Sequence, residues 1–277
     1  MNRLIVSLFP GIDLFGRGFE LNGFCVVRAP EKFLGGDIRD FHPPKGFADG
    51  VIGGSPCQDF SRLNRAPKDY SLEMLGEYIR VVEQISPNWF LHENVVGVPE
   101  FEISGYIIQR FELDLSWFNP EASRRRIFTF GFKCDTPGDY LLNPIIKNNA
   151  DVLHSAVTCQ SKITLKEMAE IQGCYFHEQL EHFTVGGKKT VIGNAVPLVM
   201  SCYLAKLIDE TIYQGVTCPG AKCLCGCGRA VKGRAKHAHQ NCRKKKSRMN
   251  KCDLAGLKKC DAPGAIMKIT GSNKVGA

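Results

Sequence analysis

Three short stretches hold the side chains that could carry covalent chemistry. In Gly53-Gly54-Ser55-Pro56-Cys57-Gln58-Asp59-Phe60-Ser61 a cysteine directly follows a proline at the end of an apolar run. A thiol is soft and ionises near neutrality, so Cys57 is the candidate nucleophile; a free cysteine at such a turn can also be a small buried hydrophobe. In His92-Glu93-Asn94-Val95, Glu93 follows a second apolar run. A carboxylic acid beside a thiol is a workable pair for attacking a ring at one atom and protonating it at another. In Ser123-Arg124-Arg125-Arg126-Ile127-Phe128-Thr129-Phe130 an arginine triplet opens a β-rich run. As a strand it puts Arg124 and Arg126 on one face and Arg125 on the other. The guanidinium groups read either as a charged strand end or as contacts to a phosphate or a base carbonyl.

Each of these side chains needs an element to hold it. Ala48 to Ile52 reads as a short buried strand, followed by Gly53 and Gly54, whose backbones can make a sharp turn. Pro56 fixes its own φ and keeps Ser55 extended, which holds Cys57 at a strand-to-loop corner. Trp89 to Leu91 reads as another buried strand. In an open α/β sheet the carboxyl ends of adjacent strands face one crevice, so Cys57 and Glu93 are expected to meet there. Alternation turns His92 to the other face, as a structural neighbour. Upstream, Leu4 to Leu8 reads as a first strand, Phe9-Pro10-Gly11 as a turn, Ile12 to Leu21 as a helix closed by Asn22-Gly23, and Phe24 to Val27 as a second strand. Gly11, Gly16 and Gly18 do not spell a phosphate-cradling glycine motif, so a nucleotide cofactor is only loosely indicated. Glu31 and Asp37 lie where carboxylates could accept hydrogen bonds from a ribose hydroxyl and an adenine amine, or could simply occupy surface loops. A helix from Leu72 to Ile85 carries an apolar stripe, Leu75, Ile79, Val82 and Ile85, and Pro87 ends it. Residues 133–162 show no clear periodic element. Thr164 to Ile171 is a helix with Thr164 as N-cap and Glu167 three residues on, and an apolar helix from Leu198 to Ile212 follows Gly193-Asn194-Ala195-Val196-Pro197.

A chain of 277 residues that is 44% hydrophobic can bury a large core and carry an appendage. No apolar run approaches the roughly 18 residues of a membrane span, and the opening Met1 to Phe9 is too short for a signal peptide, so a cytoplasmic, membrane-free monomer is expected. The 13 cysteines are an odd number, which in a reducing compartment favours metal binding or catalysis over disulfides. The net charge of +8 is unevenly divided. Residues 215–277 hold 15 Lys and Arg against 2 Asp and Glu, a net +13, and residues 1–214 hold 21 against 26, a net −5. Such a block suits a nucleic-acid partner or a solvated terminus. Within it, Cys218, Cys223, Cys225, Cys227, His237, His239 and Cys242 precede a basic run. Their density, with Gly226 and Gly228 for tight turns, suggests a small structural zinc site. The chosen ligands are Cys223, Cys227, His237 or His239, and Cys242; the alternative is free thiols in a disordered tail. The expected division is 1–214 as the main domain, 215–248 as a zinc-binding basic module and 249–277 as unstructured.

In this order the segments resemble the DNA (cytosine-5) methyltransferase family. Phe9-Pro10-Gly11 and its helix are similar to the first cofactor motif, Gly35-Gly36-Asp37-Ile38 to the adenine-contacting segment and Pro56-Cys57-Gln58 to the catalytic motif. Glu93-Asn94-Val95 is similar to the acid motif and Arg124-Arg125-Arg126 to the arginine motif, while Thr164 through Gly173 and Gly193 through Pro197 resemble the two late motifs. The resemblance implies an α/β, Rossmann-like, S-adenosylmethionine-dependent methyltransferase fold in a bacterium or the host of a phage. It implies that Cys57 adds to C6 of a flipped-out cytosine in DNA, Glu93 protonates N3, and Arg126 and Arg124 hold the base O2 and the catalytic loop. Phe9, Gly11, Glu31, Asp37, Pro56, Asn194 and Val196 would bind the cofactor, and Gln58 and Ser61 would meet the nucleic-acid backbone. Three departures stand out: Ser7 at a position usually acid or polar, Ala122 where a glutamine usually precedes the arginines, and only about thirty residues between the arginine motif and the next, where a large target-recognition region is usual. An RNA cytosine methyltransferase and an inactive nucleic-acid-binding protein on the same frame are the alternatives.

Overall fold

A computed structural model describes residues 3–32, 35–60, 68–133, 141–144, 162–175 and 180–214. One six-stranded sheet organises them: β1 (Leu4–Leu8), β2 (Cys25–Arg28), β3 (Gly50–Gly53), β4 (Trp89–Asn94), β5 (Tyr106–Asp114) and β6 (Arg125–Lys133), in the order β2-β1-β3-β4-β6-β5. The first four run parallel, and β6 runs antiparallel to both β4 and β5. The buried runs of β1, β3 and β4 suit strands covered on both faces.

Alternation sorts the core into two layers. Ile5, Ile52, Leu91, Phe128 and Phe130 pack on one face against α1 (Leu14–Glu20), α3 (Leu165–Gln172), α4 (Val185–Asn194) and α5 (Leu198–Ile208). Val6, Val51, Phe90 and Ile127 pack on the other against α2 (Tyr70–Ile85). Its stripe is as the spacing requires: Leu75, Val82 and Ile85 are buried and Ile79 half-buried, with Met74, Tyr78 and Val81 widening the face. Two glycines let the layers close. A β-carbon on Gly131 would stand 2.2 Å from the Phe90 ring, and one on Gly50 2.3 Å from the Trp89 ring.

Several boundaries differ from the sequence reading for local reasons. The first helix begins at Leu14, two residues later than the apolar pattern suggests, because Asp13 takes a left-handed conformation and caps it by accepting from Gly16 N. The Thr164 cap is present, with the full reciprocal box to Glu167. The apolar helix ends at Ile208 and its last turn, Asp209–Tyr213, widens into a π-helix. Helix α4 and strand β5 are additions. The expectation that no run matches a membrane span needs correction: Val185–Tyr213 is long and apolar enough by composition, with 56% of its most apolar window buried inside the fold. Tyr213 ties this end to the sheet, accepting from Trp89 Nε1 at 3.0 Å.

Candidate active site

The strand order reverses at β1, whose neighbours β2 and β3 leave in opposite directions, and a crevice opens outside the carboxyl ends of the strands there. Register aligns those ends: Leu8 faces Gly53, and Gly53 faces His92. The loops that follow β1, β3 and β4 therefore share one rim. A cavity of about 460 Å³ lies on it, walled by Phe9, Gly11, Glu31, Asp37, Pro56, Cys57, Gln58, Glu93, Arg124, Arg126 and Asn194 among others. Its size falls within the roughly 300–1,000 Å³ usual for small-molecule sites.

At one end stands the candidate chemistry. Glu93 and Phe128 are directly opposed across β4 and β6, so Arg126, two residues before Phe128, is the diagonal neighbour of Glu93 on the same face. The result is an ion pair of 2.9 Å between Arg126 Nε and Glu93 Oε1. Arg125 points the other way and pairs with Glu112 at the surface. Arg124 is 5% exposed, and its Nη2 donates to Ala195 O, which joins the sheet to the link between α4 and α5. Asp114 fixes where this strand begins, accepting from Arg124 N and Ser123 Oγ. Gly54 leaves room for the acid, since a β-carbon there would lie 2.7 Å from Glu93 Oε2.

Burial governs the protonation of this group. It pushes the Glu93 carboxyl up, against Arg126 and Arg124, which favour the ionised form. Burial also raises the Cys57 thiol, as does the negative charge of Glu93, while Arg126 and Arg124 oppose them. The resting site thus holds a protonated thiol beside an acid that burial makes easier to protonate. Arg124 itself is brought down to about 9 by burial and by the neighbouring charge of Arg126.

At the other end the backbone is shaped for close approach. Phe9, Gly11 and Asp13 all have positive φ, so three alternate residues of one loop are left-handed, two of them carrying side chains. Glu31 Oε2 accepts from Gly11 N at 2.7 Å, which brings the acid beyond β2 back onto the loop beyond β1. Asp37 caps a single 3-10 turn, Ile38–Asp40, and Arg39 holds its carboxylate at about 2 through hydrogen bonds from side chain and backbone. Asn194 is exposed on the cavity wall.

Val196 departs from expectation. Its side chain is 6% exposed and packs into the core, while Ala195 beside it lines the cavity. The Ala195 backbone is extended at the end of α4, so adjacent side chains point to opposite sides. Gln58 is exposed at the rim in a 3-10 turn, Gln58–Phe60. Ser61 and the tail residues Cys223, Cys227, His237 and Cys242 lie outside the described residues, as does most of 133–162.

The sequence reading passed over Lys32, Arg39, Tyr70, Met74 and Val191, which also line the cavity, and Asp13, the cap of α1. Asp13 accounts for the unusual Ser7: Ser7 Oγ donates to Asp13 Oδ1 at 2.8 Å, and Arg28 Nε lies 2.8 Å from Oδ2. An acid three residues before Gly16, at a helix start, was the available signal. Ala122 is fully buried and fills core volume.

A family model described as C-5 cytosine-specific DNA methylase matches residues 4–157. The Type II methyltransferase M.DdeI of Desulfomicrobium norvegicum is 29% identical over 210 residues, covering 61% of this chain and 51% of that protein. The Type II methyltransferase M.FnuDI of Fusobacterium nucleatum is 32% identical over 164 residues, 47% of each. The chain spans about half the length of these two relatives. Among solved structures, the Entamoeba histolytica methyltransferase EhMeth superposes with a TM-score of 0.53 at 11% identity, over 76% of this chain and 99% of that one, a likeness of fold.

Proposed function

Since the chain belongs to the C-5 cytosine-specific DNA methylase family, we propose that it methylates C5 of cytosine in DNA, through a covalent bond from Cys57 to C6 of a base turned out of the duplex. The observation that carries this reading is the convergence of Cys57, Glu93, Arg124 and Arg126 on one cavity rim.

Methylases of this family use S-adenosylmethionine. The far end of the cavity fits such a group: a left-handed loop that lets a ligand approach the backbone, the carboxylates of Glu31 and Asp37 for hydroxyl and amine donors, and Phe9, Pro56 and Asn194 on the walls. Bound there, S-adenosylmethionine supplies an electrophilic methyl group. Cytosine C5 is too weak a nucleophile to take it unaided. The Cys57 thiol loses its proton to solvent as its sulfur adds to C6, and Glu93 delivers a proton to N3 as electron density shifts onto the ring, which leaves C5 enamine-like. Arg126 holds Glu93 in place, and Arg124 and Arg126 offset the negative charge gathered there. After methylation at C5, loss of the C5 proton to solvent returns its electron pair to the ring and expels the Cys57 thiolate, and N3 returns its proton to Glu93, giving 5-methylcytosine. Gln58, with Ser61 beyond it, would meet the backbone of the strand from which the base is taken.

The short stretch between Lys133 and Thr164 favours one second reading, methylation of RNA on the same frame. A zinc-held module in 215–248 would add contacts to the DNA phosphates. Labelled S-adenosylmethionine incubated with duplex DNA or with RNA separates the readings, label on DNA being expected. Cys57→Ala should abolish transfer and retain cofactor binding. Label on RNA alone, or transfer surviving in that variant, would sink the proposal.

A further inference from the structure

Behind the Cys57 loop, on the sheet face opposite to Glu93, lies a polar cluster that the chemistry above does not use. His92 is wholly buried, its ring against Tyr78 and Phe101 with centroids 4.6 and 5.3 Å away. Burial keeps it neutral, with a pKa lowered to about 3. Its Nε2 lies 3.0 Å from Ser55 Oγ, as donor or acceptor according to tautomer. Asn94, two residues on and on the same face, donates from Nδ2 to Ser55 O at 3.0 Å and to Ser55 Oγ at 3.2 Å.

An imidazole is a costly choice for that place. Enclosing a polar ring among aromatic side chains is unfavourable unless a hydrogen bond compensates, and leucine or phenylalanine would fill the volume without that cost. Among the described residues, His92 directs its only hydrogen bond to Ser55. Ser55 is 4% exposed, with its hydroxyl held by two side chains and its carbonyl by one. Pro56, next in the chain, has its own φ locked by its ring, and Cys57 follows. Little torsional freedom remains between the buried cluster and the sulfur.

We propose that His92 is a positioning residue for the reaction: by gripping Ser55 from beneath the sheet's rim it sets where Pro56-Cys57 stands over the cavity. This rests on the reading of Cys57 as the nucleophile. The bond it governs is the one to C6, whose rate falls steeply when reacting atoms are misplaced, about a hundredfold for 1 Å.

The test uses the full chain with His92→Leu, His92→Gln, Ser55→Ala and the double variant His92→Leu/Ser55→Ala. Four quantities are read: kcat, KM for S-adenosylmethionine, melting temperature, and alkylation of Cys57 by iodoacetamide, followed on the Cys57 peptide by mass spectrometry. His92→Leu and Ser55→Ala should each lower kcat about tenfold or more with KM within about twofold, and should change the alkylation rate about threefold or more. The double variant should be no worse than Ser55→Ala alone, because that variant already lacks the hydroxyl His92 meets. His92→Gln, whose amide can meet Ser55 Oγ, should recover most of the loss. The idea fails if kcat and alkylation are unchanged in a folded His92→Leu, if the losses multiply in the double variant, or if they track melting temperature alone without rescue by glutamine. Should the wild type transfer no methyl group, the functional reading falls and the alkylation rates still decide the positioning. Should His92→Leu not fold, Ser55→Ala and His92→Gln decide it.

Discussion

Replacing Glu93 by glutamine should make Cys57 more reactive toward an alkylating agent while making the protein a poorer catalyst. The thiol is held above its ordinary range by burial and by the charge on Glu93, with Arg126 and Arg124 pulling the other way. Glutamine keeps the shape and removes the charge, leaving both arginines unopposed. At the separations of such a cluster, two unit charges interact by about 1–4 kcal/mol between the limits of bulk water and a protein surface. Without the charge of Glu93 the thiol should therefore fall. Below its pKa each unit gives about tenfold more thiolate, but a less basic thiolate is a weaker nucleophile, with a Brønsted slope of about 0.4–0.5. Alkylation at about pH 7.5 should then rise severalfold, about threefold for each tenfold gain in thiolate. Methyl transfer should drop by about 10²–10⁴ with the loss of the proton donor to N3. The assay is iodoacetamide labelling resolved at the Cys57 peptide, since Cys25 is exposed and reports separately. Arg126→Gln is the sign control and should slow labelling. A folded Glu93→Gln protein whose Cys57 labels no faster than the wild type would refute the electrostatic account of the site.

Three further outcomes are expected. Gly54→Ala puts a methyl group 2.7 Å from Glu93 Oε2, so kcat should fall about ten- to a hundredfold, checked by steady-state turnover. Gly131→Ala drives a methyl group into the Phe90 ring in the middle of the sheet, and chemical denaturation should find it less stable by about 1–3 kcal/mol. His92 is lowered from 6.5 to about 3, so the unfolded chain takes up its proton first; the stability due to its burial is complete above about 6.5 and is lost as pH falls toward 3. Between about pH 6 and 4 the stability of the wild type should decline more steeply than that of His92→Leu, by about 1.4 kcal/mol per pH unit, measured by urea titration.

The convergence of the candidate residues is legible in the sequence because they sit where pattern is strongest: Cys57, Glu93 and Arg126 each adjoin a buried strand, and period-two alternation assigns their faces. What escaped has local causes. Strand β5 is an edge strand, half-buried along most of its length and carrying Arg110 and Glu112, so it offers no clean alternation. Helix α4 reads Val-Gly-Gly-Lys-Lys-Thr-Val-Ile-Gly-Asn, whose three glycines and β-branched residues argue against a helix by propensity. It is helical because Thr184 caps it and Val191 and Ile192 are buried. At Val196, motif membership does not say which of two adjacent side chains faces a cavity. Nor does any pattern in the chain show that Glu31 would fold back to Gly11.

The diagonal pairing of Arg126 with Glu93 also bears on how the chain can change in length. One residue inserted between Arg126 and Phe128 would turn Arg124 and Arg126 to the other face of the sheet and strand Glu93, because a strand's faces alternate at every position. Additions beyond Lys133, where β6 ends, leave that register untouched. Insertions and deletions accumulated over evolution should therefore be rare from Arg124 to Lys133 and more frequent just after it.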